Sequence, residues 1–216
     1  MPRIIDISRR IGPDLPVWPG DPAIELRRQS SVADGDLATV SRLSCGSHSG
    51  THVDAPLHFF ADGASLDDWH LAGGIGPCQL IDCPGDGPLS AADLQAQVAP
   101  GCRRLLIRSR NSADLVSAPQ EFRRDYVALS PAAADWLVDA QVRLVGVDGP
   151  SVAPFDDPEP VHHILLGAGC QILEGLTLAG VETGVDYVLC CLPLPLAAAD
   201  GAPARAVLIA DLSWPA

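Results

Sequence analysis

Between Ser47 and Phe60, in the string SHSGTHVDAPLHFF, three of the chain's six histidines and an aspartate fall within eleven positions: His48, His52, Asp54 and His58. Neutral imidazole and carboxylate are the ligand types of a hydrolytic transition-metal site. A chain that carries such a cluster must fold so that these side chains converge, and it must supply further ligands and a pocket from elsewhere. Spacing constrains how. His52 and Asp54 are two residues apart, so on an extended chain they share one face about 6.5 Å apart and can reach one ion. His48 would lie about 13 Å from His52 on a straight strand. The chain must therefore turn back between them, which Gly50 permits because glycine adopts conformations closed to other residues. A helix would also bring positions 48 and 52 together, but Gly50, Val53 and Pro56 oppose one. His58 follows Pro56 and leaves the strand, where it either ligates or faces a metal-bound water as a proton shuttle.

Three ligands from one segment leave a zinc-type site open for water, the catalytic pattern. A second site needs distant ligands. His162 opens an apolar helix, and Glu174 interrupts the apolar strand QILEGL, where an uncompensated carboxylate is expensive. His163 competes with its neighbour, and spacing alone leaves that choice open.

The remaining pattern is of many short strands and few helices. Strands are predicted at Ile4–Ser8, Ala23–Gln29, Ala38–Cys45, Pro77–Cys83, Arg103–Ser109, Val142–Asp148, Gln171–Leu176, Tyr187–Leu196 and Ala204–Ala210. The last two form a hairpin turning at Asp200-Gly201. Ser90, followed by Ala-Ala-Asp, and Ser130-Pro131 read as capped helix starts. A third, short helix is expected at His162–Leu166, after a proline-rich acidic loop from Ala153 to Pro160. Four of the eleven residues in Gly12–Pro22 are proline, which makes a stiff irregular loop around Trp18. With 216 residues and no linker or repeat, the expectation is one mixed α/β domain over 1–216 with a largely β core.

A net charge of −13 argues against a nucleic-acid partner and opposes an anionic membrane surface. The expected partner is a small molecule. All 14 cations are arginine, so Schiff-base catalysis and a lysine-bearing phosphate loop are excluded. The seven cysteines (45, 78, 83, 102, 170, 190 and 191) form no Cys-x-x-Cys pair and read as free thiols. No signal-peptide core opens the chain and no apolar run reaches about 18 residues, giving a cytoplasmic expectation. Gly73-Gly74-Ile75-Gly76 lacks the strand–glycine–helix context of a dinucleotide site.

The string His-Ser-Gly-Thr-His-Val-Asp-Ala-Pro-Leu-His-Phe resembles the signature of the metal-dependent cyclase family, which includes bacterial kynurenine formamidases. PVWPGDP, DWHLAGGIGPCQLIDC, VGVDGPS, ILEGLTL and DGAPARAVL extend the resemblance over nearly the whole chain. It implies a swivelling β/β/α fold and a site for two divalent ions, Zn²⁺ with Mn²⁺ as the alternative. It further implies that His48, His52 and Asp54 bind one metal, with Asp54 bridging to a second held by His162 and Glu174 as the other bridging carboxylate. His162 is thereby chosen over His163. His58 takes the place of the proton donor and acceptor, and Trp18 that of a substrate-contacting residue. The activity implied is hydrolysis of the formamide of N-formylkynurenine to kynurenine and formate, by a metal-bridging hydroxide with a histidine acid/base. The alternative is hydrolysis of another aryl or cyclic amide, imide or lactone by the same centre. Phe59 or Phe60 could join Trp18 against an aryl ring. A homodimer or higher homo-oligomer is also implied.

Overall fold

A computed structural model describes residues 2–118 and 120–212. Its strands are Arg3–Asp6 (β1), Glu25–Ser30 (β2), Val40–Ser44 (β3), His52–Asp54 (β4), Ile75–Cys83 (β5), Arg104–Ser109 (β6), Leu144–Val147 (β7), Gln171–Glu174 (β8), Tyr187–Pro193 (β9) and Gly201–Ala210 (β10). Five short helices join them: Leu71–Gly74 (α1), Ala91–Gln95 (α2), Asn111–Ser117 (α3), Pro131–Asp139 (α4) and Glu159–Gly167 (α5). Seven strands close into a ring in the order β10-β4-β8-β7-β6-β5-β9, because β9 pairs back onto β10; β1 adds to the outside of β10. The run β5-β6-β7-β8 is parallel and the rest antiparallel. This is the mixed, largely β architecture expected. β2 and β3 stand apart as an exposed two-stranded ribbon.

Strand side chains alternate between two cores. Val53, Leu106, Leu144, Leu173 and Leu208 fill the inside of the ring. Leu105, Ile107, Val145 and Ile172 point outward and pack beneath α4 and α5, against Leu137, Val161 and Leu165. A period of two then settles the direction of the polar strand residues. Val53 and Leu173 face inward, so His52, Asp54 and Glu174 face outward, on the side covered by α5.

The predicted helix starts are realised. Ser90 forms a capping box with Asp93, and the Ser130 hydroxyl accepts from the Ala133 N–H with Pro131 in the first turn. Helix α5 begins at Glu159, inside the segment read as loop, and carries Val161, His162, Leu165 and Leu166 on one buried face. Helices α1 and α3 went unpredicted. The buried positions of α3 are polar, Asn111 and Ser112, so it has no apolar periodicity to read. Two strand ends also differ. β1 stops at Asp6, with Ser8 making only a single bridge to Leu176. Gly201 is not a turn residue but the first residue of β10, paired with Asp54.

Candidate metal centre

β4 and β8 are antiparallel neighbours in which His52 stands directly opposite Glu174. His52, Asp54, His162 and Glu174 are all 3% exposed or less, so four ionisable groups share a site nearly closed to bulk water. His52 Nε2 lies 3.2 Å from Glu174 Oε2 and 3.6 Å from Asp54 Oδ1. His162 reaches in from α5, its Nε2 3.6 Å from Asp54 Oδ2 and 3.5 Å from Glu174 Oε1. Each carboxylate therefore turns one oxygen toward His52 and the other toward His162.

His48 completes the first side, with Nδ1 2.8 Å from Asp54 Oδ1. The turn-back expected between His48 and His52 occurs, and Gly50 has φ +69°, in the left-handed region that favours glycine. The second close approach is at Gly201, where a Cβ would stand 2.6 Å from the Val53 carbonyl oxygen and 2.7 Å from the His48 ring. His48 can lie flat over β10 only because residue 201 has no side chain.

Hydrogen bonds fix the ring orientations. His52 Nδ1 lies 3.0 Å from the Gly50 carbonyl and His162 Nδ1 2.7 Å from that of Pro158, which leaves Nε2 of each aimed at the carboxylates. Glu174 Oε1 accepts from the Val152 N–H (2.7 Å) and the Ser151 hydroxyl (3.2 Å). Burial opposes the charged form of His48 and His162, yet their contacts with Asp54 and further carboxylates lift them to about 9 and about 10. Burial likewise opposes ionisation of Asp54, but the neighbouring His162 and His48 imidazoles hold it well below the usual carboxylate range.

Asp54 Oδ2 is buried and has no hydrogen-bond partner among the described residues. An orphaned carboxylate oxygen in a closed site is costly, and it faces the side formed by His162 and Glu174. The donor set fits divalent cations: Asp54, His162 and Glu174 can converge on one ion, and His48, His52 and Asp54 on another.

His163, by contrast, turns away. Its Nε2 meets the Phe59 carbonyl at 3.1 Å and its Nδ1 lies 3.5 Å from Glu159. His58 stacks on His48 with ring centroids 3.8 Å apart, and its side chain is 32% exposed, open to the neighbouring cavity. Burial keeps its pKa below the ordinary histidine value.

That cavity, about 460 Å³, is lined by His48, His52, His58, Glu174, Trp18 and Phe122, among others. Trp18 stacks on Phe155 at 4.8 Å and meets Phe122 edge-on at 5.5 Å. The expectation that Phe59 or Phe60 joins Trp18 does not hold. Phe59 stacks on the His162 ring at 4.0 Å and Phe60 on His163 at 4.7 Å, both packed on the outer core. The second aromatic residue of the wall is instead Phe122, more than a hundred residues from Trp18, while Phe155 backs the Trp18 ring.

Asp200 was also missed. Its Oδ2 lies 3.0 Å from His48 Nε2 and 3.8 Å from His58 Nδ1, and its Oδ1 accepts from the Ser47 hydroxyl. His48, His58 and Asp200 could themselves converge on a cation.

A family model described as "Putative cyclase" matches residues 5–154. The chain belongs to the cyclase family. Within that family it is 38% identical to the kynurenine formamidase of Geobacillus thermodenitrificans, covering 94% of this chain and 96% of that one. A solved structure described as a potential metal-dependent hydrolase with cyclase activity superimposes with a TM-score of 0.84 at 29% identity, over 99% of this chain and 100% of the other. Isatin hydrolase A from Labrenzia aggregata, at 23% identity, shares the fold with a TM-score of 0.81 over 97% of this chain and 94% of its own. The cyclase fold is thus common to chains that have diverged widely in sequence. Histidine and carboxylate clusters in a relative of metal-dependent hydrolases point to divalent-metal binding.

Proposed function

We propose that the protein is a metal-dependent amidohydrolase that cleaves the formamide of N-formylkynurenine to kynurenine and formate. The observation that carries the reading is the position of Asp54. It is buried between two sets of donors, with one oxygen unpartnered, beside a cavity that holds both His58 and Trp18. His48, His52 and Asp54 would hold one divalent ion and Asp54, His162 and Glu174 the other, Zn²⁺ in the first instance and Mn²⁺ as the alternative. Two such ions, when bound, supply Lewis acidity and lower the pKa of a coordinated water toward neutrality.

The remaining work falls to the chain. Trp18 and Phe122 face an aryl ring across the cavity. His58, whose pKa burial lowers, takes the proton of the attacking water on its imidazole. It then delivers that proton to the aniline nitrogen as the C–N bond breaks. Asp200, 3.8 Å from His58 Nδ1, lies where it can stabilise the imidazolium formed in between. The remaining hydroxyl proton of the water leaves formic acid to solvent, so one water is consumed, the products are an aryl amine, formate and a proton, and no other reactant is needed.

The same centre and cavity suit a second reading, hydrolysis of a cyclic imide or lactone, and the relation to isatin hydrolase supports keeping it. The deciding experiment is turnover by metal-quantified protein of N-formylkynurenine, a cyclic imide and an aryl lactone side by side. Rapid formate release from the first supports the formamidase; turnover of only the ring substrates replaces it with the second reading. To the same proposal belong residues 1–216 as one hydrolase domain, a homodimer or higher homo-oligomer, and a cytoplasmic setting. No helix among the described residues is long and apolar enough to cross a membrane.

A further inference from the structure

The semi-buried arginines of this chain are mostly accounted for. Arg104 donates to the carbonyls of Gly73 and Ala72, and Arg108 forms a two-pronged pair with Asp82. Arg110 lies within ion-pair distance of Asp86, Asp114 and Asp125. Arg9 differs. It is half-buried, burial depresses its pKa, and no charge of opposite sign offsets that effect. Among the described residues its guanidinium has no hydrogen-bond acceptor and no ion-pair partner.

Of the acids that line the cavity or the adjoining hollow with Arg9, Asp21 and Glu121 make no ion pair with it, and the others are occupied elsewhere. Asp148, which shares a small hollow with Arg9, accepts from the backbone and hydroxyl of both Ser109 and Ser112. Asp114, in the same hollow, faces Arg110 and Arg123. Asp200, across the cavity, is taken by Ser47 and His48. A half-buried guanidinium without a counter-charge keeps its hydrogen-bond donors free for an anionic ligand, which would also offset its partial desolvation.

Arg9 is also held in place. Its backbone N–H donates to the Thr51 hydroxyl at 2.8 Å, and that hydroxyl donates to the Gly175 carbonyl at 2.7 Å. Thr51 and Gly175 directly adjoin His52 and Glu174, so the backbone of Arg9 is tied to the two strands that carry the candidate ligands. Its side chain lines the cavity that contains those ligands, His58 and Trp18.

We propose that Arg9 is the anchor for a substrate carboxylate: the cavity takes an aryl formamide with an anionic amino-acid tail, whose carboxylate pairs with this guanidinium. The inference rests on the formamidase reading and adds to it the reason for preferring a charged substrate. The planar guanidinium fork matches a carboxylate in two-pronged geometry. The acidic chain, at net charge −13, otherwise repels an anion, so a local cation is needed to accept one. The ring against Trp18, the formamide toward His58 and the carboxylate on Arg9 would fix the substrate at three points.

The test compares kcat/KM for N-formylkynurenine with that for formanilide, which has the aryl formamide but no carboxylate, in metal-quantified wild type, Arg9→Met and Arg9→Lys. Wild type should prefer the carboxylate substrate. That preference should fall roughly 10- to 100-fold in Arg9→Met, the size expected for losing a charge-assisted pair, mostly through KM. Arg9→Lys should retain part of it. An equal proportional loss on both substrates would make Arg9 structural and overturn the inference while leaving the formamidase intact. Should Arg9→Met fail to fold, inhibition of wild type and Arg9→Lys by benzoylpropionate and its neutral amide decides. The acid must inhibit wild type at least tenfold better, and lose that margin in part in the lysine variant; equal inhibition by the two overturns the proposal. Wild type that cleaves neither formamide removes the formamidase reading, and this inference with it.

Discussion

On one side of the cavity His52, Asp54 and Glu174 stand on paired strands and are 3% exposed or less, with His162 pressed onto them from a helix. On the other side Trp18 and Phe122 lie in irregular segments, one between β1 and β2 and one between α3 and α4, and both are only half-buried. Strand pairing fixes the first group through backbone hydrogen bonds and two cores. The second group is fixed by little more than its own aromatic contacts. The difference separates two tasks. Ions tolerate little error in ligand position, so their residues belong on rigid elements, whereas a substrate wall can vary on loops without disturbing the fold.

The largest effect should come from Asp54→Ala. Asp54 faces both His52 and His162, so its removal strips a donor from each side at once. Metal analysis after dialysis should show both occupancies falling, and turnover should vanish with them. Retention of one full equivalent would mean that Asp54 serves one ion only, and the two-sided arrangement would be wrong.

How much of this comparison the sequence reveals follows from the same division. His52 and Asp54 are legible because they lie two apart on one strand, where chemistry and geometry coincide, and His48 because it falls just before the same strand, across the turn at Gly50. Glu174 stands out as a carboxylate within the apolar string QILEGL, but a half-exposed structural glutamate explains it as well, and its place among the ligands needed the family resemblance. Choosing His162 over His163 needed the family resemblance. In the fold the reason is that Val161, Leu165 and Leu166 set the buried face of α5, which includes residue 162 and turns residue 163 toward Glu159. The loop side is mostly illegible. Phe122 sits in a segment with no periodicity, and Arg9 reads as one surface arginine of 14. Asp200 is masked by its neighbour, since Asp-Gly signals a turn. Only the fold shows that the glycine is there to clear the His48 ring. Helix α3 was missed for a related reason: its inward residues bond to Asp148 and its neighbours rather than packing as an apolar stripe.

His58 sits between the two sides, stacked on a candidate ligand yet open to the cavity. His58→Ala should lower kcat by about 10²- to 10⁴-fold, the range for losing a general acid–base group. Metal content should stay at the wild-type level. This variant tests the comparison most sharply, because His48, His58 and Asp200 are also placed to converge on a cation. Loss of metal from the variant would move His58 to the ligand side and leave proton transfer to another group.

The smallest of these effects should belong to Trp18→Ala. Its ring is stacked on Phe155 and braced by Phe122 and Tyr126, so three aromatic residues remain when it is removed. An aromatic stacking contact contributes about 0.5–1.5 kcal/mol beyond its buried area, which corresponds to a rise in KM of about two- to tenfold. Metal content should be unaffected and kcat should change much less than KM. A fall in kcat at constant KM would mean that the indole acts on the transition state rather than on binding. The loop side would then share in the chemistry, and the division between a rigid reacting wall and a variable binding wall would fail at the residue that best represents it.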